Sequence, residues 1–459
     1  MELEHLPDWL DRHHVDIVRT YATTLEGTGV GKYVHRNKFQ KTLPQGHTIS
    51  DMALSMDLAG FPHVTFWHDQ RQAVLGDIFL KPDLNTLISD GTNPDLGHCI
   101  CDFYDEDGEP MRICPRSTLK QMVSELADAG YSMKATFELE FYLYNQSFED
   151  IAAAKYKNLK PVTANQLPVI YRVRNSYHAA PFMQEVTKRM DWKGIAWEGW
   201  NDEAGVGQIE LNLDPADPIR ICDNVVRTKQ ILYEVAVDLG MAVTFMARPA
   251  EGYGSGMHIH HSLQKDGEPA FFDATADDRR SAMLHHWIGG LMETLPGAVS
   301  YLCPSVNSYR RFVDFAAVPM APSWGEENKS AALRLITSSP GATRVEYRVG
   351  ASDLNPYLAL AVIIAGGLAG LRHQLVPPAE FTQLAWGLPE SYPRLPVTIS
   401  RAAAALNQAG YLKEALGSDR VEYWAKSREL EWMSFYTEGG DPDAKDTSQW
   451  EFERYFAIL

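Results

Sequence analysis

Three stretches of this chain alternate with a period of two, and each turns its charge to a single face. The first is Lys134-Ala-Thr-Phe-Glu138-Leu-Glu140-Phe-Tyr-Leu-Tyr144. Glu138 and Glu140 share one side of it, and Phe137, Leu139 and Phe141 share the other. The second is Gly254-Ser-Gly-Met-His258-Ile-His260-His-Ser262, in which His258, His260 and Ser262 fall together behind a glycine-rich turn. The third is Thr343-Arg344-Val-Glu346-Tyr-Arg348-Val-Gly350, with Arg344, Glu346 and Arg348 on one face. Strands of this kind demand a sheet with one apolar and one charged side. Paired carboxylates on one face repel each other unless a cation or water lies between them. Taken singly, each stretch is equally a strand with a solvated face.

Other segments carry the same chemistry. Glu198-Gly-Trp-Asn-Asp-Glu203-Ala-Gly-Val-Gly207-Gln208-Ile-Glu210-Leu-Asn212 puts Glu203 at a tight turn and Gln208, Glu210 and Asn212 on one strand face. Asn307-Ser-Tyr-Arg310-Arg311 and Trp324-Gly-Glu-Glu-Asn-Lys329-Ser-Ala-Ala-Leu-Arg334 supply cations. A guanidinium grips a carboxylate or phosphate through two parallel hydrogen bonds. Glu138, Glu140, Glu203, Glu210, Glu346 and His258 together form an oxygen-rich set, which favours Mg²⁺ or Mn²⁺ over zinc. Two such ions hold a nucleotide's phosphates while arginines offset the charge of a transferring phosphoryl group.

At 459 residues the chain exceeds what one hydrophobic core usually serves, so two domains are expected, divided near Cys114: residues 1–114 and 115–459. The net charge of −18 argues against nucleic acid and anionic membrane as partners. No run of 18 apolar residues or signal peptide is seen. The five cysteines have no metal-ligand spacing, and free thiols in a reducing cytoplasm are expected. Short apolar runs over Asp51–Leu87, with further strands at Gly97–Cys101 and Met111–Ile113, suggest a small antiparallel sheet. Helices are expected at Pro115–Ala129, Pro181–Asp191, Ile219–Asp238, Asn355–Gly370, Arg401–Gly417 and Val421–Glu438. Trp450–Phe456 reads as a short aromatic helix suited to a partner subunit or an internal pocket. Asn145–Leu167 reads as a loop and insert.

Six motifs in order carry a resemblance. They are Glu-x-Glu, Glu…Gly-Gln-x-Glu, Gly-Ser-Gly-Met-His-x-His-x-Ser, Asn-Ser-Tyr-x-Arg, Asn-x-Ser-Ala-x-x-Arg and Arg-x-Glu-x-Arg. Over Ser117–Gly370 the chain resembles the glutamine synthetase superfamily. The resemblance implies an α+β fold: a small N-terminal beta-grasp-like domain, then a catalytic domain with a curved antiparallel sheet flanked by helices. It implies Glu140, Glu203 and Glu210 around one divalent ion, and Glu138, His258 and Glu346 around a second. It implies His260, Ser262, Arg334 and Arg344 around ATP, and Gly254, Arg311 and Arg348 around L-glutamate. Lys329 stands where the family has a phosphate-facing arginine, and the resemblance implies Arg311, Arg334 and Lys329 as the catalytic cations. The implied reaction is phosphorylation of the glutamate γ-carboxylate by ATP, then displacement of phosphate by an amine. The implied assembly is a dodecamer of stacked hexameric rings, each active site lying between two subunits.

The chain also departs from that family. Glutamine synthetases hold ammonium with a Glu six residues after the arginine of the Asn-Ser-Tyr motif, and here that residue is Ala317. Their N-terminal Asp-Gly-Ser-Ser is missing between Ser50 and Leu87, where the nearest stretch is Phe61-Pro-His-Val-Thr-Phe-Trp-His-Asp. Losing two carboxylates removes the clamp for a small cation and leaves room for carbon atoms. An organic amine is the expected acceptor, as in the ligases for isopropylamine and other alkylamines, aniline, ethanolamine or polyamines, and a monoamine is favoured. Phe61, His63, Phe66, Trp67 and Ala317 are the expected pocket wall. Tyr253 replaces a family Asn beside Gly254, and Trp386 stands where some bacterial synthetases carry an adenylylated tyrosine. Alternatives are an ammonia-using synthetase with a rebuilt pocket, an inactive ring-forming scaffold and a metal-dependent hydrolase.

Overall fold

The computed structural model describes residues 3–61, 76–163, 170–249, 252–316, 318–441, 444 and 446–458. Two sheets organise them. The first has six strands, in the order Gly29–His35, Ile17–Thr23, Leu96–Tyr104, Asp77–Pro82 and His47–Ser50, with Ile88–Ser89 added beside Leu96–Tyr104. All its pairings are antiparallel except that between Ile17–Thr23 and Leu96–Tyr104. A small core of Leu6, Leu10, Val18, Phe39 and Cys99 lies under it. Ile78, Leu80, Cys101 and Phe103 join the main core instead.

The expected strand at Met111–Ile113 is absent: Met111 and Ile113 are buried in a turn. Pro110 lacks the donor a ladder needs and makes only a single bridge to Tyr104. Within the expected Asp51–Leu87 sheet, Asp51–Leu54 is instead a 3₁₀ turn capped by the Ser50 side chain.

The second sheet has nine strands. Its main path runs Trp324–Glu326, Leu333–Ile336, Arg344–Tyr347, Met257–Lys265, Ser132–Tyr144, Gln208–Leu213 and Trp197–Asp202. Every pairing is antiparallel except Trp324–Glu326 with Leu333–Ile336, which run parallel. The alternation in the sequence sets its faces. Phe137, Leu139, Phe141, Ile259, Val345 and Tyr347 are sealed in the core, and the charged partners of each strand look the other way.

Helices Pro115–Asp128, Pro218–Asp238, Ala282–Leu302 and Pro356–His373 contribute to that core. The last is long and apolar enough to cross a membrane, yet 83% of it is buried inside the protein. It approaches Ala282–Leu302 closely enough that a Cβ on Gly370 would stand 2.0 Å from the His286 carbonyl oxygen, so only glycine serves there.

Two expected helices and one expected insert differ in the structure. The helix placed at Pro181–Asp191 starts at Val173 and runs to Trp192, with Pro181 inside it. Proline reads as a helix start, but burial of Ala179, Phe182, Met183 and Val186 carries the helix through it. The Arg401–Gly417 helix breaks at Ala409 into Ile399–Gln408 and Gly410–Leu416. The Asn145–Leu167 insert contains a short helix, Phe148–Ala153.

The aromatic tail folds onto its own chain. Helix Gln449–Tyr455 opens with a capping box of Ser448 and Glu451, and Tyr455 is fully buried with its hydroxyl on Glu431. All five cysteines are free and buried.

Candidate active site

The register of the large sheet brings distant acids together. His258 stands opposite Glu138, and Glu138 lies across from Asn212 on its other side. Glu140 faces Glu210. His260 faces Glu346, and Glu346 faces Arg334. Residues spread from 138 to 346 thus share one face of one sheet.

Glu138 is the hub. Its two oxygens lie 2.9 Å from His258 Nδ1 and 2.9 Å from His260 Nε2. Burial opposes its ionisation, but the two imidazole hydrogen bonds prevail and hold its pKa well below the usual range. Glu346, 1% exposed, accepts from Arg334 at 3.0 Å and from Arg348, and lies 3.7 Å from His258. Burial would raise its pKa, and Arg348, His258 and His260 lower it on balance. Glu140 is held by Gln208 at 2.9 Å and by the Gly256 amide at 2.7 Å.

Glu210 and Glu203 lack such cationic partners. Burial, together with the charges of Glu138, Glu140 and Glu203, pushes Glu210 up to about 8. Burial and Glu140 push Glu203 up to about 7. Crowded by neighbouring carboxylates, Glu203 and Glu210 hold protons more tightly than free carboxyls until a cation offers more. This oxygen-rich donor set fits one or more hard divalent ions.

Among the described residues, Glu138, His260 and Glu346 form a group whose ligand atoms all lie within 4.8 Å of one another. It includes His260, which the family resemblance assigns to the nucleotide; His258 touches the same carboxylates from the other side. His261 points into the core and accepts from the Trp287 indole at 2.9 Å.

His260, Ser262 and Arg344 line a cleft of about 400 Å³ that ends on Glu138 and Asn212. Arg344 donates to His260 at 3.2 Å. Arg311 is 3% exposed and donates to the Val349 carbonyl at 3.2 Å. Its stem rests on Gly254, where a Cβ would stand 2.4 Å from Arg311 Cγ. The Nε donors of Arg311, Arg334 and Arg348 are buried without a partner among the described residues. Three guanidinium donors without a partner among the described residues, beside an acidic cluster, can serve an anionic ligand. Lys329 is exposed in the turn between Trp324–Glu326 and Leu333–Ile336.

Of the expected amine-pocket residues, His63, Phe66, Trp67 and Ala317 lie outside the described residues. Phe61 is 69% exposed, with its amide on Asp57.

Three contributors carried no assignment in the sequence. Gln208 and Asn212 orient Glu140 and Glu210, and their alternation with Glu210 was the available signal. Tyr171 had no signal. Its backbone has φ +59°, it is 57% exposed, and its hydroxyl pKa is raised by burial and then by the charges of Glu203, Glu210 and Glu138.

Comparisons with known proteins find relatives over most of the chain. Residues 112–455 match the family model described as glutamine synthetase, catalytic domain. The glutamate–isopropylamine ligase of a Pseudomonas species is 29% identical over 98% of this chain and 97% of its own. Gamma-glutamylputrescine synthetase of Escherichia coli is 31% identical over 90% and 87%. Glutamine synthetase of Thermus thermophilus is 29% identical over 98% and 97%. A solved structure described as a GmaS/ADP complex superposes with a TM-score of 0.83, at 24% identity over 98% of both chains. With its α+β architecture and its acid-lined sheet, the chain belongs to the glutamine synthetase family of ATP-dependent ligases.

Proposed function

We propose that this protein joins the γ-carboxylate of L-glutamate to an organic primary amine at the expense of ATP. The observation that carries the reading is the acidic cluster built around Glu138 and Glu346, set beside three arginines with unpartnered Nε donors. Glu140, Glu203 and Glu210 would hold one divalent ion, and Glu138, Glu346 and the imidazole of His258 another, with His260 close enough to share it. When bound, Mg²⁺ or Mn²⁺ supplies charge neutralisation for the nucleotide's phosphates.

The rest is the chain's own work. Arg311, Arg348 and the backbone at Gly254 seat glutamate. His260, Ser262 and Arg344 line the nucleotide's cleft, and Arg334 and Lys329 face the phosphates. A glutamate γ-oxygen attacks the terminal phosphorus of ATP and the bond to ADP breaks. The amine nitrogen then attacks the acyl carbon of γ-glutamyl phosphate and phosphate leaves. Amide, ADP, phosphate and a proton result. Carboxylate is a poor acyl donor until its oxygen becomes a good leaving group, and preorganised cations stabilise the charge that moves.

The acceptor is read from Ala317 and from the absent Asp-Gly-Ser-Ser. Relatives named for isopropylamine, for putrescine and for glutamine synthesis are about equally similar, so identity does not choose among them. A small monoamine such as isopropylamine or ethylamine is the first choice, with aniline and ethanolamine next, in amine catabolism or detoxification. The reading extends to a cytoplasmic dodecamer, in which residues 1–114 of one subunit complete the site formed by 115–459 of the next.

Phosphate release with ammonium against an amine panel tests this. A higher kcat/KM for an amine is expected, and ammonium in first place would sink the amine reading. Ala317→Glu is expected to shift preference toward ammonium; an unchanged ratio removes Ala317 from the argument.

The acid cluster makes a pH prediction. Glu203 and Glu210 titrate in the folded, metal-free protein at about 7 and about 8, above the ordinary 4.5. Raised carboxyls bind protons that the unfolded chain has already lost, so their contribution to stability is full below about pH 4.5 and disappears as pH rises through 7–8. The metal-free melting temperature should therefore fall across this window. Mg²⁺ or Mn²⁺ displaces those protons, so its affinity should rise by up to about tenfold per pH unit between pH 6 and 8. Calorimetric titrations across that range would read it, and an affinity flat with pH would contradict it.

A further inference from the structure

A second cleft, of about 430 Å³, lies between the hairpin of Ile17–Thr23 and Gly29–His35 and the helix Pro218–Asp238. None of the residues assigned to catalysis lines it. Its volume is in the range of small-molecule sites.

Its charge is unusual for a chain of net −18. Arg19, Lys32 and Lys229 all line it. Arg19 is neutralised by Glu234 at 2.6 Å, and the one acid in the wall, Glu26, is taken by Arg428 at 2.5 Å. Lys229 has no such partner: among the described residues no carboxylate stands within 4.0 Å of its ammonium. The ammonium donates to the Ser352 carbonyl at 2.7 Å and lies 4.7 Å over the Phe245 ring. Lys32 likewise donates, among the described residues, to a carbonyl alone, that of Thr48, at 2.6 Å. Among the described residues the half-buried Lys229 cation, held by a carbonyl and an aromatic face, has no contacting counter-charge. Burial accordingly pulls the Lys229 pKa down to about 8, with the more distant Asp353 resisting. Tyr33 and Tyr233 add exposed aromatic wall.

We propose that this cleft binds a small organic anion with a flat apolar body, an aromatic carboxylate in class, whose carboxylate supplies the missing counter-charge to Lys229 while its ring lies among Phe245, Tyr33 and Tyr233. The inference stands apart from the ligase reading.

The test uses the full-length protein with L-glutamate saturating, so that carboxylate binding at the catalytic site is blocked. Benzoate is the probe and benzamide its uncharged counterpart, both followed by calorimetry. One benzoate per chain is expected, with benzamide bound about tenfold more weakly or worse. Lys229→Met should lower benzoate affinity by about tenfold or more while ligase turnover is retained. If that variant does not fold, Tyr233→Ser, on the exposed wall, should weaken benzoate and benzamide alike. No benzoate binding, equal binding of benzoate and benzamide, or affinity untouched by the variants that fold would overturn the proposal.

Discussion

Replacing Glu346 with glutamine is expected to lower amide formation by about 10²–10³-fold with the fold intact. The carboxylate is 1% exposed and works in two directions. Toward the sheet's centre it closes the trio with Glu138 and His260. Away from it, it takes hydrogen bonds from Arg334 and Arg348. Arg348, His258 and His260 keep it ionised despite burial. Glutamine preserves volume and one acceptor but removes the charge. A divalent ion then loses a ligand, and two guanidinium groups lose the anion that aims them. Turnover at several Mg²⁺ or Mn²⁺ concentrations separates the effects. Recovery at high metal would indicate weakened ion binding alone. A variant within tenfold of the parent at every concentration would mean that this cluster is not the seat of the chemistry.

The largest expected loss of stability comes from the tail. Glu451 is fully buried in helix Gln449–Tyr455. Its carboxylate accepts from Asn307 at 3.0 Å, from Arg310 at 3.2 Å and from the Ser448 amide at 2.9 Å. Glu451→Ala removes the reciprocal half of the capping box, leaving the Ser448 cap, and takes from the Arg310 guanidinium its carboxylate partner, leaving only the Ala444 and Asp441 carbonyls among the described residues. Losing one partner of a buried pair costs roughly 3–5 kcal/mol. The same turn, Asn307–Arg311, carries Arg311, so KM for glutamate should rise as well. Glu451→Gln, which keeps the acceptor to Asn307, should recover part of the loss. Thermal unfolding and substrate kinetics read both variants. An unchanged melting temperature for Glu451→Ala would show that the tail does not brace this turn.

The site was legible to different depths in different places. Glu138 and Glu140 were readable because alternation with Phe137, Leu139 and Phe141 leaves only one side for charge. The same logic separated His258 and His260 from His261, which does turn inward to Trp287. Tyr171 was silent, since a loop residue carries no periodicity to betray where its ring goes. The Val173–Trp192 helix begins ahead of Pro181, a residue that mimics an N-terminus in sequence, because core burial overrides that signal. The division of labour between His258 and His260 was also beyond the pattern, because both sit on one face and both reach Glu138.

By itself the sequence determined which residues of each strand are apolar and which are charged, and so which side of every strand must be buried. That follows from a side-chain period of two, a property of a strand considered alone. The tertiary structure alone decided that Glu138 meets His258, that Glu140 meets Glu210 and that Glu346 meets Arg334. Backbone ladders form in any register, and a slip by two residues would preserve every face while undoing those three encounters. Only the packing of the whole sheet against its helices selects one register among them.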